Sequence, residues 1–389
     1  MNRDRPARPR SPLSLACAAL AVAGCAGSLK PGDPVRGLTG PQRDAFKRGR
    51  VVFDSIFTAQ TGLGPLFNQT ACGECHEDPV KGGVGDEVEL HATAFRADGT
   101  CDPLVEEGGF VIQRQVTPAL KAALGIDSEP VPPSATAQAR RTTPVVFGRG
   151  LLDAVPDAEI LSHADPDDKN HDGISGRPNR NVDGRVGRFG RKGMVPTLRE
   201  FNDGAFVAEM GITNPAVPTE ESIGGKPIPP GVDPTPDPEL SQEAADLADA
   251  FVRFLAVPTP LKLSGEARRG QDLFKRVGCV GCHLPELRTG DSPVEALRHK
   301  KVAAYSDLLL HDMGPDLADI CLGLATPGEF RTEPLIGLRL LTRYLHDGRA
   351  TSLEQAIVLH GGEATASRDR FKQLKPAQRA AVIAYLKTL

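Results

Sequence analysis

Cys72-Gly-Glu-Cys75-His76 and Cys279-Val-Gly-Cys282-His283 are two copies of one pattern, C-x-x-C-H, set about two hundred residues apart. This is the attachment signature of c-type haem. The two thiols add across the haem vinyl groups, and the adjacent histidine is brought under the iron as its proximal ligand. A redox-active C-x-x-C pair and half of a zinc site are the competing readings. A zinc site wants paired C-x-x-C units close together in sequence, whereas each unit here stands alone and carries its own histidine. The pattern therefore predicts two covalent haems on Cys72, Cys75, Cys279 and Cys282, with His76 and His283 as proximal iron ligands.

Working outward, each motif has a similar prelude. Arg48-Gly-Arg-Val-Val-Phe53 precedes the first and Arg269-Gly-Gln-Asp-Leu-Phe274 the second. Both read as the opening helix of a cytochrome c fold, whose glycine lets another helix approach and whose aromatic faces the core. Each half also closes with an amphipathic stretch: Ala248, Phe251, Val252 and Leu255 in the first, Val382, Ile383, Leu386 and Leu389 in the second. The expected fold is mainly α: two cytochrome c-like haem domains in tandem, residues 41–258 and 262–389, with long loops and a minor β-hairpin to which a strand at Val111–Val116 belongs. The first copy holds a 14-residue insertion before its motif, because Gly49 to Cys72 spans 23 residues and Gly270 to Cys279 only 9. Pro215 to Pro238 is dense in proline and glycine and reads as an ordered loop or linker.

The amino terminus reads as a secretory leader over residues 1–24. Four arginines precede an apolar run from Leu13 to Ala23 that is too short to span a bilayer. It ends in Val22-Ala-Gly-Cys25, which resembles a bacterial lipobox. That places a lipid on Cys25, a flexible tether over 25–40, and the protein in the periplasm. The chain's formal charge of −4 includes this basic leader, so the mature protein is more acidic still. With no basic aromatic patch, nucleic acid is excluded as a partner. Tryptophan is absent, and porphyrins would supply some of the missing core volume.

Six cysteines follow Cys25, and four are assigned to haem. Cys101 and Cys321 remain, either as a disulfide joining the two halves or as separate buried thiols. Asp165 to Gly176 resembles the core of a calcium loop, with Asp168, Asn170 and Asp172 offering alternate oxygens and Gly173 the turn. Asn179 stands where an EF-hand has its glutamate, so the segment reads as a structural Ca²⁺ loop or as a solvated acidic turn.

Further stretches carry a family resemblance. They are Gly62-Leu-Gly-Pro-Leu-Phe-Asn68, His171 to Asn179, Gly187 to Lys192, Met210 to Pro215, Ser306 to Gly314, Tyr344 to Ala350 and Leu353 to Glu363. Together they resemble the di-haem oxidoreductases, also labelled putative di-haem peroxidases or thiol oxidoreductase-like, relatives of the bacterial di-haem cytochrome c peroxidases. The resemblance implies a redox enzyme in which haem one is catalytic and haem two relays electrons from a redox partner, with hydrogen peroxide as a candidate substrate.

The resemblance also implies roles for single residues. On the helix where the peroxidases carry a methionine as sixth ligand of the second haem, this chain has His360, which implies bis-histidine iron with His283. Met313, His311 and His346 are alternatives. His91 lies near the place of a removable distal ligand to haem one. Glu209, in Glu-Met-Gly, matches the distal acid/base that moves a proton between peroxide oxygens. Arg191, Lys192 and Arg349 are candidates for pairing haem propionates, and His163 and His171 read as surface residues. Two other functions stay open: an electron-transfer protein with no substrate chemistry, and an oxidase of a protein partner.

Overall fold

The computed structural model describes residues 27–389; the leader, the lipobox and Cys25 lie outside the described residues. Six helices frame the two motifs: α1 (Gly40–Phe53), α2 (Leu198–Met210), α3 (Gln242–Phe254), α4 (Gly265–Arg276), α5 (Leu353–Leu359) and α6 (Pro376–Leu386). α1 begins at a capping box in which Thr39 and Gln42 satisfy each other's backbone donors. It buries Phe46, Gly49 and Phe53 along one face, a helical stripe. α3 lies across that face, with the Phe251 ring 5.2 Å from Phe46 and 4.9 Å from Phe53.

The second half repeats the device with α4 and α6. Phe274 packs edge-on to Tyr385 at 5.6 Å, and Gly270 meets α6 as Gly49 meets α3. A Cβ at Gly49 would overlap the carbonyl of Leu247, and one at Gly270 the carbonyl of Ala381. In both places the absent side chain lets two helix backbones touch. Gly270→Ala is therefore expected to cost about 1–3 kcal/mol through overpacking, despite alanine's better helix propensity. Gly204 on α2 has open space where its Cβ would stand, so Gly204→Ala should stabilise by about 1 kcal/mol. Denaturant melts of the two variants check the contrast, and equal shifts would contradict it.

Among the described residues helix makes up 33% and strand 13%, which is more sheet than one hairpin supplies. The strands of the first half are β1 (Leu66–Phe67), β2 (Val88–Phe95), β3 (Cys101–Asp102), β4 (Val111–Ile112), β5 (Gln115–Val116) and β6 (Ala137–Thr142). β2 is the hub, antiparallel to β3, β4 and β6. The single strand expected over Val111–Val116 is split in two: β4 joins β2, while β5 pairs with β1. Gln113 and Arg114 part the two strands. Gln113 is buried and donates to the carbonyl of Ala208, and the Arg114 amide donates to the Asn68 side chain.

The expected tether over 25–40 also needs correction, because its described part is packed. Val35 and Leu38 are buried in the main core, and the Val35 amide donates to the carbonyl of Phe254 at 2.8 Å. Apolar side chains at these two positions give the segment a core face that a solvated spacer would lack. Pro215 to Pro238 is an ordered loop between α2 and α3, with Val232 packed against Leu66 and Leu120.

Cys101 and Cys321 are disulfide-bonded, with Cα atoms 5.7 Å apart. The bond ties β3 to a loop of the second half. Beside it Arg141 of β6 forms a buried ion pair with Asp319.

Candidate haem sites

The first motif opens as a one-turn helix, Cys72–Cys75, and the second as a 3₁₀ turn, Cys279–Gly281. All four cysteines are free thiols. Burial pushes Cys72 and Cys279 up to about 12, and raises Cys75 and Cys282 as well. A redox-active pair needs the opposite shift, since the thiolate is its nucleophile. Thioether attachment needs no standing thiolate.

Both proximal histidines are oriented through one nitrogen. His76 Nδ1 lies 3.2 Å from the carbonyl of Gly83, and His283 Nδ1 lies 2.9 Å from that of Tyr305. A carbonyl can only accept, so Nδ1 carries the proton in each ring and Nε2 keeps its lone pair for a metal. Burial pushes His76 down and His283 to about 4, which keeps both imidazoles neutral as ligation requires. Phe53 and Phe274 stand beside these rings at 6.0 and 6.5 Å.

Glu209 sits at the last turn of α2, near the first motif. Its side chain accepts from Asn68 Nδ2 at 2.9 Å, and its carbonyl accepts from the Asn68 and Gln69 amides. Gly64 lets the preceding strip lie against Gly211 without a side chain between them. The insertion that lengthens the first half thus locks the end of α2. Burial raises the Glu209 carboxyl well above the ordinary carboxylate range, and the negative charge of Glu89 adds to that shift. Its charge in turn raises Cys72 and Cys75.

His91 lies on β2, where its Nε2 is 2.9 Å from the Glu89 carboxylate. Glu89 stays ionised because this bond and the charge of His91 outweigh its burial. Sequence reasoning missed Glu89. The signal was the period of two in β2, which puts Glu89, His91 and Thr93 on one face.

The second motif opens on a cavity of about 600 Å³ lined by Cys279, Cys282, His283, Met313 and His360. His360 caps the end of α5. Its Nδ1 donates to the carbonyl of Ala356 at 2.7 Å, leaving Nε2 free, and burial holds the ring neutral. His360 and His283 line the same cavity. Met313 shares the cavity wall.

His311 does not fit as a ligand. Its Nδ1 is 2.8 Å from Glu363 and its Nε2 2.8 Å from Asp307. Hydrogen bonds to Asp307, Cys282 and Glu363 outweigh its burial and push it up to about 12. It is an imidazolium with both nitrogens engaged. His346 stacks on Phe330 at 4.3 Å and faces Asp319 at 3.3 Å.

Of the candidate propionate partners, Arg191 lines the cavity. Lys192 is buried on the carbonyls of Pro327 and Glu329 and on Asp319. Arg349 pairs with its neighbour Asp347. His163 and His171 are exposed.

In the acidic loop, Asp168 accepts from the amides of Asp172 and Gly173, and Asp172 from that of Ile174. Asn170 Oδ1 accepts from the same Asp172 amide as Asp168, at 2.9 Å. Glu220, Asp233, Asp237 and Glu239 converge in the 215–239 loop.

A family model described as "Di-haem oxidoreductase, putative peroxidase" matches residues 133–389. The chain belongs to that family. The matched stretch takes in Glu209, the second motif and His360, and as a di-haem oxidoreductase the protein takes two haems. No curated protein matches the chain. Among solved structures it is similar to hydrazine synthase of Kuenenia stuttgartiensis at 16% identity, covering 98% of this chain and 100% of that one, with a TM-score of 0.42. A MauG-like protein associated with microbial copper homeostasis is 17% identical over 93% and 92%, TM-score 0.42. The dihaem peroxidase BthA of Burkholderia thailandensis is 14% identical over 89% and 86%, also at 0.42.

Proposed function

We propose that this di-haem oxidoreductase is a periplasmic, membrane-tethered enzyme of peroxidase type. Its haems are attached covalently through Cys72, Cys75, Cys279 and Cys282, one to each of two cytochrome c-like domains in tandem. The observation that carries the reading is an asymmetry between the two sites. A buried carboxyl, Glu209, is held beside the first motif, where His91 Nε2 is bonded to Glu89. The second motif faces a histidine with a free Nε2.

The donor sets fit the group: in each motif the thiols are unpaired and the histidine presents Nε2. Bound haem supplies an iron that exchanges electrons and, with an open position, coordinates a small oxidant. Glu209 is the group that takes a proton from the near peroxide oxygen and returns it to the leaving one. Asn68 aims it, and burial gives it the proton affinity for both transfers. His283 and His360 would hold the second haem's iron, which would favour electron relay over substrate binding.

An electron paramagnetic resonance spectrum of the oxidised protein tests this. One high-spin and one low-spin iron supports it; two low-spin irons would make the protein an electron carrier. Tethering has its own check. Cys25→Ser should move the protein to the soluble periplasmic fraction or leave the leader uncut, since stable anchoring comes from the lipid chains. A processed variant that stays on the membrane would refute lipidation at Cys25.

A further inference from the structure

Glu333 accepts ion pairs from three arginines at once. Arg149 lies at 3.2 Å, Arg191 at 3.0 Å and Arg331 at 2.6 Å. Arg331 is 5% exposed and Arg149 9%. Two buried guanidiniums and a partly buried third around one carboxylate leave an excess of two positive charges. Burying unpaired charge is strongly unfavourable, so such a cluster calls for a further anion. Arg331 registers the strain: burial and the repulsion of Arg149 and Arg191 pull it below the ordinary guanidinium value. Glu89 also senses Arg191, but its carboxylate hydrogen-bonds His91.

The place of the cluster says which anion. Arg191, Arg331 and Glu333 line the cavity that holds His283 and His360. Thr332, next to Glu333, is bonded through its carbonyl to Ser306, whose neighbour Tyr305 holds His283. The same cavity reaches Val84 and Gly85, next to the Gly83 carbonyl that holds His76. Arg149 is anchored on the carbonyl of Val145, whose neighbour Val146 donates to the carbonyl of Gly82, beside that Gly83. The cluster therefore spans the interval between the two haem positions.

We propose that Arg149, Arg191 and Arg331, organised by Glu333, form one carboxylate-binding site that takes a propionate from each haem. Guanidinium groups match carboxylates in a paired, planar geometry, and two propionates cancel the two excess charges. Glu333 keeps the three cations together before either haem arrives. A shared anchor also makes the electrostatic environment of one iron depend on the residues that hold the other.

The inference rests on the reading that both motifs carry haem. The test uses full-length holoprotein. Arg191→Gln should retain two haems, shift the propionate bending bands of both in resonance Raman, and lower both midpoint potentials, because a lost cation favours the ferric state. Glu333→Gln should raise both potentials for the opposite reason, and it carries the test if the arginine variant fails to fold. Arg288→Gln, exposed and outside the cluster, should leave all these readings in place. Shifts confined to one haem, or unmoved propionate bands, would overturn the shared site while leaving the haem assignment standing. A wild-type protein with fewer than two haems would defeat the haem reading and this inference with it.

Discussion

Glu209→Gln is expected to slow peroxide consumption by about 10²–10⁴-fold, the usual scale of general acid–base help, while both haem spectra stay close to wild type. Glutamine keeps the shape and can still bond Asn68, so the change removes proton transfer and little else. The pH dependence adds a second signature. In the proposed mechanism Glu209 acts first as a base, so only its ionised form would start the reaction. Burial and Glu89 raise its carboxyl, so the wild-type rate should climb with pH in a range above the ordinary glutamate value of about 4.3. That limb should vanish in Glu209→Gln. Asn68→Ala should move it to still higher pH, because the Asn68 bond is what lowers this carboxyl. Steady-state rates over a pH series decide the matter. A variant as fast as wild type removes Glu209 from the mechanism.

Cys279→Ala combined with Cys282→Ala should cut the haem that survives denaturation from two equivalents to one. The thioether bonds are the only links that persist in denaturant, so mass spectrometry of unfolded chains reads attachment alone. The loss should also destabilise the second half, since Phe274, Tyr305 and Tyr385 cluster beside His283 and the cavity of about 600 Å³ would have no tethered occupant. His360→Ala keeps both haems covalent, and should change only the second haem's spectrum and potential. Two haems retained by the double variant would refute the assignment.

Much of the candidate site was legible because it is written locally. C-x-x-C-H places thiols and a histidine by spacing, and the Gly49 and Gly270 stretches announce helices by their apolar stripe. The same pattern marked Glu209, though only through a family likeness. What was not legible is long-range. Nothing in the spacing of Arg149, Arg191, Arg331 and Glu333 says that they meet. Charged residues scattered over 180 positions read as solvated until the fold closes. The single strand expected at Val111–Val116 is split for a related reason. Apolar alternation can locate a strand but not its partner, and Gln113 turns inward to α2 and splits the run.

The Cys101–Cys321 bond changes what can be done with the duplicated halves. Each half has its own helix pair and its own motif, and so looks like a part that could be expressed, shuffled or replaced alone. The bond, together with the buried Arg141–Asp319 pair beside it, makes the protein a closed ring of about 220 residues that contains the second motif. Either half cut free would carry a bare thiol and one member of a severed buried ion pair. The two halves are not modular, and any attempt to borrow one motif with its helix pair from this chain must first redesign that seam.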